Sequence, residues 1–592
     1  MPKTSEGVKR PIRIANFSGM IGDYLEALHN AVHGEAVDVV VGDYLAELTM
    51  GRFVEGFIDA GKPEAVQNFY ASIFLKQLAP ELKEIQKRGL KVVTNAGAFA
   101  PETMAEVIRG MITENNLQLK VAHVRGDNVL PRVNDFAQQK QLQNMDSGEA
   151  IGDNAKRFVA ANAYLGGWGI SAALEAGADI VICGRVTDAS LAVGPAAWWH
   201  GWQADEWDKL AGACAAGHII ECGPQAMGGN FSGFADLDQN QRLGFPIAEI
   251  DAQGDTIITK RADEAGHVTI DTVKAQLNYE IQGPEYLNPD VVLHIDSIEL
   301  SEEGPDRIKL SAAKGSPAPH TTKVNCFYHH GFRTMMLAYV TGIDANEKIE
   351  WLRQQMQEIV DQSALDDYKF ETIGQISDDP KSQADATMTI RIAIAAQHIK
   401  SLKEFVRNFG GLWLGSLPGF HSENGAGFTA RAEFWPGLLP QSELLHEAVL
   451  DDGTIVAAAV PPTEPFVSKA VSIEGGDSID YGPTKSVLLG DIVHARSGDK
   501  GANANIGVWT KNPKASEWLY SFLTRQKFIE LIGLSEDIVV ERYPLKNLGG
   551  VYFVLRGYFG ASGTSNIGLD QIGKAVGEFL RARQVEVPVQ FL

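Results

Sequence analysis

Four cysteines in a chain of 592 residues are too few for a disulfide scaffold. None of them (Cys183, Cys214, Cys222, Cys326) sits in a CxxC pair, which excludes a zinc ribbon as well. No apolar run approaches the ~20 residues needed to span a bilayer, and Met1 to Arg10 is polar, without the apolar stretch of a secretory signal. A cytoplasmic chain with no membrane partner is therefore expected. Basic side chains are outnumbered, 52 against 75 acidic, for a formal net charge of −23. A surface so negative repels phosphate backbones, so no nucleic-acid partner is expected. The Gly-Lys-Ser/Thr of a phosphate-binding P-loop is also missing.

What is present is ordinary globular composition, with 44% hydrophobic and 21% charged residues, in a chain too long for one core. Over the first two hundred residues, short β-branched runs alternate with helical stretches. Strands are expected at Ile12–Asn16, Val37–Val41, Leu90–Thr94, Leu119–Val124 and Ala178–Cys183. Between them, helices are expected at Asp23–His33, Pro63–Arg88, Pro101–Asn115 and Asn154–Gly177. That order predicts an α/β fold whose N-terminal region, 10–229, is an open, mostly parallel sheet.

Residues 230–460 read as a mixed α+β part of the same large unit, 10–460. Strands are expected at Thr256–Thr259, His267–Thr272 and Val291–Leu300, a helix at Lys348–Gln362, and a strand at Thr387–Ala395. Phe409–Trp435, rich in Gly, Ser and aromatics, reads as ordered loop. Pro461, Pro462 and Pro465 mark a linker over 461–485. Residues 486–592 then follow a β-β-α-β-β-α order, which fits a compact two-layer α+β domain.

In a parallel sheet the site lies beyond the carboxyl ends of the strands. Here each of those ends carries glycine beside a polar or acidic group. They are Ser18, Gly19 and Gly22; then Gly42 and Asp43; then Asn95; then Asp127; then Gly184, Arg185 and Asp188. One Gly-Asp after a strand is most often a turn with a helix cap. Five converging ends point to a ligand site. Asp43, Asp127 and Asp188 are the acids available for proton transfer. Arg185 and Asn95 are donors for an oxyanion, and the Ser18–Gly22 turn suits a phosphate at a helix start.

A second cluster, His218, Glu221, Cys222 and on to Asn230, could hold a metal or pair the Cys222 thiol with a base, although its spacing matches no zinc signature. Gly217, Gly223 and Pro224 argue against a rigid helix there. Near the C-terminus, Ala495 to Gly507 reads as a glycine-rich connection whose amides form an anion nest, with charge from Arg496 and Lys500.

Taken together these stretches resemble the acyclic terpene utilisation (AtuA) family. Asn16 to Asp23, Gly42 to Glu47, Asn95 to Gly97, Cys183 to Ser190 and His218 to Asn230 look like the motifs of its main domain. Ala495 to Gly507 is similar to the start of the ferredoxin-like α+β domain that follows it in longer members. The resemblance implies a catabolic enzyme acting on an acyl-CoA thioester or a related branched-chain or terpenoid carboxylic acid. Hydration, hydrolysis and C–C lysis all remain open. On this reading Asp43, Asp127, Asp188, His218 and Glu221 are catalytic, while Ser18, Gly19, Gly22, Asn95, Arg185, Asn230, Arg496 and Lys500 contact substrate. No cofactor and no resident metal are expected, and a homo-oligomer is. Two alternatives stay open: a metal-dependent hydrolase or lyase built on His218 and Glu221, and a non-catalytic partner subunit of an acyl-CoA carboxylase docking through Phe409–Trp435.

Overall fold

A computed structural model of the chain describes residues 9–237, 241–424, 427–466, 479–535, 537–560 and 562–592. Its largest sheet has eleven strands. Five of them are parallel and central: β1 (Ile12–Ser18), β2 (Val39–Gly42), β3 (Lys91–Thr94), β4 (Val121–Arg125) and β5 (Ile180–Ile182), in the order β1-β2-β3-β5-β4. These are the dense Val/Ile runs read from the sequence, and helices on both faces bury them.

The sheet as a whole is mixed rather than mostly parallel. Four antiparallel strands extend it beyond β1 (Pro246–Ile250, Thr256–Lys260, Arg307–Ser311, Glu299–Gly304), and two extend it beyond β4 (Glu447–Val449, Ile455–Ala457). All six come from the region expected to form a separate mixed part. Long-range edge pairing leaves no mark in local periodicity, so the sequence could not assign these strands to the first sheet.

A second, antiparallel sheet packs beside it, organised by the 21-residue strand Thr321–Thr341. That strand pairs with Thr387–Ala396, Thr429–Pro440 and Phe158–Ala163. Two expectations fail here for one reason. Phe158–Ala163 lies inside the stretch read as the helix Asn154–Gly177, and Thr429–Pro440 inside the stretch read as loop. Both are small or aromatic runs whose strand character comes from the long central partner. The stretch His267–Thr272, read as a strand, instead starts the helix Ile270–Leu277, capped reciprocally by Thr269 and Thr272. Helix Pro63–Arg88 breaks into three short pieces.

Part of the expected linker, 467–478, lies outside the described residues. Beyond it, four antiparallel strands in the order Val493–Lys500, Asn503–Thr510, Gly550–Arg556, Val539–Leu545 carry the helices Ser516–Phe522, Arg525–Ile532 and Val576–Arg581 on an apolar face. Among the described residues, no helix is long and apolar enough to cross a membrane.

Candidate functional site

The carboxyl ends of β1, β2, β3 and β5 lie at one edge of the sheet, and there Asp43, Asp188 and Glu221 converge. One oxygen from each falls within 4.8 Å of the others. Asp43 follows β2 directly and is aimed by Asn95, whose amide donates to Asp43 Oδ1 at 2.6 Å while its own oxygen accepts from the Tyr44 amide at 2.7 Å. Asp188 is held by Arg185, whose Nη1 donates to Oδ1 at 2.6 Å. Three carboxyls so close cannot all carry charge. Burial first, then the neighbouring acids, hold Asp43 and Glu221 well above the usual carboxylate range.

Glu221 owes its position to the helix Trp207–Ile220, which ends just before it. His218 lies in the last turn of that helix, contrary to the expectation that glycines would prevent one. Gly217 instead permits a close approach, since a Cβ there would come within 2.4 Å of Ala189 O. The tautomer of His218 follows from its partners. Nε2 lies 2.9 Å from Gln276 O, which can only accept, so Nε2 carries the proton. Burial pushes the imidazole down to about 4, so Nδ1 is a bare acceptor. Facing it at 3.3 Å is Glu221 Oε1, and Nδ1 has no hydrogen-bond partner among the described residues. Burial and the approach of a bare acceptor both favour the protonated form of Glu221.

Cations surround this group. Arg185 is fully buried and stacks on Tyr164, with its guanidinium carbon 4.0 Å from the ring centroid. Its Nε and Nη2 have no hydrogen-bond partner among the described residues. Glu47, on the first turn of the helix Glu47–Asp59, accepts from Tyr164 OH at 2.6 Å and from Lys323 Nζ at 2.5 Å. Burial alone would raise Glu47, but Lys323, Lys500 and Arg185 hold it well below its ordinary value. Lys500 is the centre of the field, flanked by Glu47, Glu280, Asp188 and Tyr286. Burial lifts Glu280 to about 7. Cys222, Asp499, Lys500 and Lys574 remain partly accessible to solvent, so the group is not wholly sealed from it.

Lys500 reaches this group because Ala495–Gly507 is not a loop. It is a β-hairpin, Val493–Lys500 with Asn503–Thr510, in an unbroken ladder. Successive amides of an extended strand point to opposite sides and do not converge, so the anion nest expected there does not form. The glycines serve close packing instead: a Cβ on Gly498 would meet Tyr279 Cε2 at 2.3 Å, and one on Gly507 would meet Asn278 Cβ at 2.4 Å. Asn505 donates to Asn278 O at 3.1 Å, and Tyr552 OH to Ile281 O at 2.5 Å. The C-terminal sheet is thereby bonded to the segment that carries Glu280 and Tyr286.

Several expected site residues fall outside the cluster. Asp127 is buried but bonded to Asn162 Nδ2 at 2.8 Å and to the Arg185 amide at 2.9 Å; it ties the end of β4 to the end of β5. Ser18 donates to Met20 O. The turn after β1 does not present its amides to a phosphate, because Asp23 Oδ2 already accepts from Gly19 N at 2.6 Å and Met20 N at 3.1 Å. Gly19 is needed for contact, its absent Cβ lying 2.6 Å from Cys222 C, whereas Gly22 meets only Met20. Asn230 bonds through its carbonyl oxygen to Arg496. Burial holds the Cys222 thiol well above its ordinary value, which argues against a thiolate nucleophile. His218 is not part of the metal-competent group. That group is Asp43, Asp188 and Glu221, and a second one joins the exposed His29 and His33 to the buried Glu81.

Sequence reading missed Glu47, Tyr164, Glu280, Tyr286, Lys323, Asp499 and Lys574. Glu47 carried a usable signal, one helical turn after Asp43 at the start of a helix. Glu280, Lys323 and Lys574 carried none, since only tertiary folding brings them in.

Comparison with known proteins agrees with the architecture. The sequence profile of the acyclic terpene utilisation family protein AtuA matches residues 12–450, and that of the AtuA ferredoxin-like domain matches residues 487–586. No curated protein and no solved structure matches the chain. The chain therefore belongs to the acyclic terpene utilisation (AtuA) family, with an AtuA domain followed by an AtuA ferredoxin-like domain.

Proposed function

We propose that this protein is a catabolic enzyme that uses general acid–base catalysis on an acyl substrate, a CoA thioester or the related branched-chain or terpenoid acid. The reaction class is hydration, hydrolysis or C–C lysis beside the carbonyl. The observation that carries this reading is the convergence of two carboxyls in contrasting surroundings. Burial holds Glu221, which faces the bare Nδ1 of His218, well above the usual carboxylate range, while Arg185 donates to Asp188. Such a contrast can supply an acid and a base.

Glu221 would donate a proton and Asp188 accept one. The unpartnered Nε and Nη2 of Arg185, with Lys500 beside them, would stabilise charge developing on the carbonyl oxygen. His218 positions Glu221 and does not itself exchange protons near neutral pH. Turnover of a panel of acyl-CoA thioesters and free branched-chain acids tests the proposal. Asp188→Asn is expected to lose at least about a hundredfold in turnover while remaining folded, as read by circular dichroism and gel filtration. Wild-type turnover in that variant would sink it.

The convergence of Asp43, Asp188 and Glu221 within 4.8 Å also supports a second reading, a divalent cation acting as Lewis acid on the same substrate class. A stoichiometric metal that survives gel filtration, with turnover lost on chelation, would select it over proton transfer alone.

A further inference from the structure

The C-terminal domain brings a second pair of cations, Arg496 and Lys574, and among the described residues no carboxylate bonds to either side chain. Arg496 is 4% exposed. Its Nη1 donates to Asn230 O at 3.4 Å and its Nη2 to Gln225 Oε1, while its Nε has no hydrogen-bond partner among the described residues. Lys574 Nζ donates to the hydroxyl of Tyr279. Both cations rest on that one ring, the Arg496 guanidinium carbon 4.1 Å and the Lys574 ammonium 4.0 Å from its centroid. Every one of these bonds ends on a neutral group. The charged or titratable side chains that act on the pair are the Cys222 thiol, felt by both, and Glu280, felt by Arg496. Burial pushes Lys574 down to about 8 and Arg496 to about 10, as expected of cations removed from water without a counter-charge.

In a chain with 75 acidic side chains, two adjacent cations, Arg496 buried and Lys574 partly accessible, that bond only to neutral groups call for an anion from outside. We propose that Arg496, Lys574 and Tyr279 form an oxyanion subsite that holds a phosphoryl or carboxylate group of a small molecule. Arg496 Nε and Lys574 Nζ would donate to that group, and Tyr279 would keep the two cations in place. Cys222, one residue from Glu221, is the neighbour that both cations share. Gly19 packs against the Cys222 backbone on the other side. A ligand anchored here therefore extends toward the proposed acid, and the cations of the C-terminal domain become a handle for the end of the substrate remote from the reaction. That role as a substrate handle rests on the reading given under Proposed function; the binding of an oxyanion does not.

The test uses the full chain and measures binding, not turnover, so its failure is distinct from failure of the acyl reading. Inorganic phosphate and glutarate are titrated calorimetrically into wild-type protein, Arg496→Met, Lys574→Met and Lys574→Arg. Wild type is expected to bind at least one of the two anions, and both methionine variants to bind it at least about tenfold more weakly. Lys574→Arg, which keeps the charge, is expected to retain most of the affinity. Phosphate binding alone assigns the handle to a phosphoryl group, and glutarate binding alone to a carboxylate; either supports the subsite. If wild type binds neither anion at millimolar concentration, or if the methionine variants bind as wild type does, the subsite is overturned. Should Arg496→Met fail to fold, the wild-type titration and the two Lys574 variants decide the matter.

Discussion

Glu47 and Glu221 are both buried carboxyls of one site, and the account assigns them opposite proton states. Changing each to glutamine separates them. Glu47→Gln removes the anion that bonds Lys323 Nζ at 2.5 Å and Tyr164 OH at 2.6 Å, with Lys500 and Arg185 close by. Both side chains of the Glu47–Lys323 pair are 12% exposed, so solvent cannot replace the lost charge. Removing one partner of such a buried pair costs about 3–5 kcal/mol. At about 2.1 cal/mol/K of unfolding entropy per residue, the unit spanning residues 12–450 shifts by about 1 °C per kcal/mol, which predicts a melting temperature about 3–5 °C lower at pH 7. The sign with pH follows from the lowered folded-state value of Glu47. Its contribution is present above the unfolded carboxylate range and fades as pH falls below it. Glu221→Gln should behave differently, because an amide N–H can replace the carboxyl O–H opposite His218 Nδ1. A change within about 1 kcal/mol is expected. Differential scanning fluorimetry and calorimetry at pH 7 read both variants. A loss in Glu221→Gln as large as that in Glu47→Gln would mean that Glu221 is ionised, and the assignment would be refuted.

Asp127→Ala should lower stability by about 1–3 kcal/mol, since Asn162 Nδ2 and the Arg185 amide both donate to Asp127 Oδ2 and would be left buried without that acceptor. Denaturant unfolding checks this, and an unchanged midpoint contradicts the structural role given to Asp127. Gly498→Ala places a methyl 2.3 Å from Tyr279 Cε2, so a loss of about 1–3 kcal/mol is expected with weaker docking of the hairpin. Limited proteolysis should show the C-terminal domain cut faster than in wild type; equal rates would count against the packing argument. Burial raises Asp290 to about 6, against an unfolded value near 3.8. Its contribution is therefore complete below about pH 4 and lost as pH rises through 6, on the order of 3 kcal/mol in total. The melting temperature of wild type relative to Asp290→Asn should fall across that window, and a flat difference would contradict it.

The five parallel strands were legible because Val37–Val41 and its counterparts are continuous apolar runs between helical stretches. Asp43, Arg185 and Asp188 were legible for the same reason, as polar groups placed where such strands end. What failed was non-local. The alternation in Thr256–Lys260 shows a strand but not which sheet it joins. Phe158–Ala163 looks helical until the long strand Thr321–Thr341 lies beside it. The glycines of Ala495–Gly507 signalled close approach correctly, yet what they approach is the Tyr279 segment and not a ligand. Gly19 misled in the same way, since the amides around it are taken by Asp23, four residues on. Glu280, Lys323 and Lys574 sit in stretches without pattern, and nothing short of the fold could place them around Lys500.

The central claim is that Glu221 keeps its proton at neutral pH while facing the bare Nδ1 of His218. An infrared difference spectrum between wild type and Glu221→Gln at pH 7 tests it without any substrate. The account predicts a protonated-carboxyl stretching band that is present in wild type, shifts in heavy water and is lost in the variant. A difference spectrum showing only ionised-carboxylate bands would contradict it.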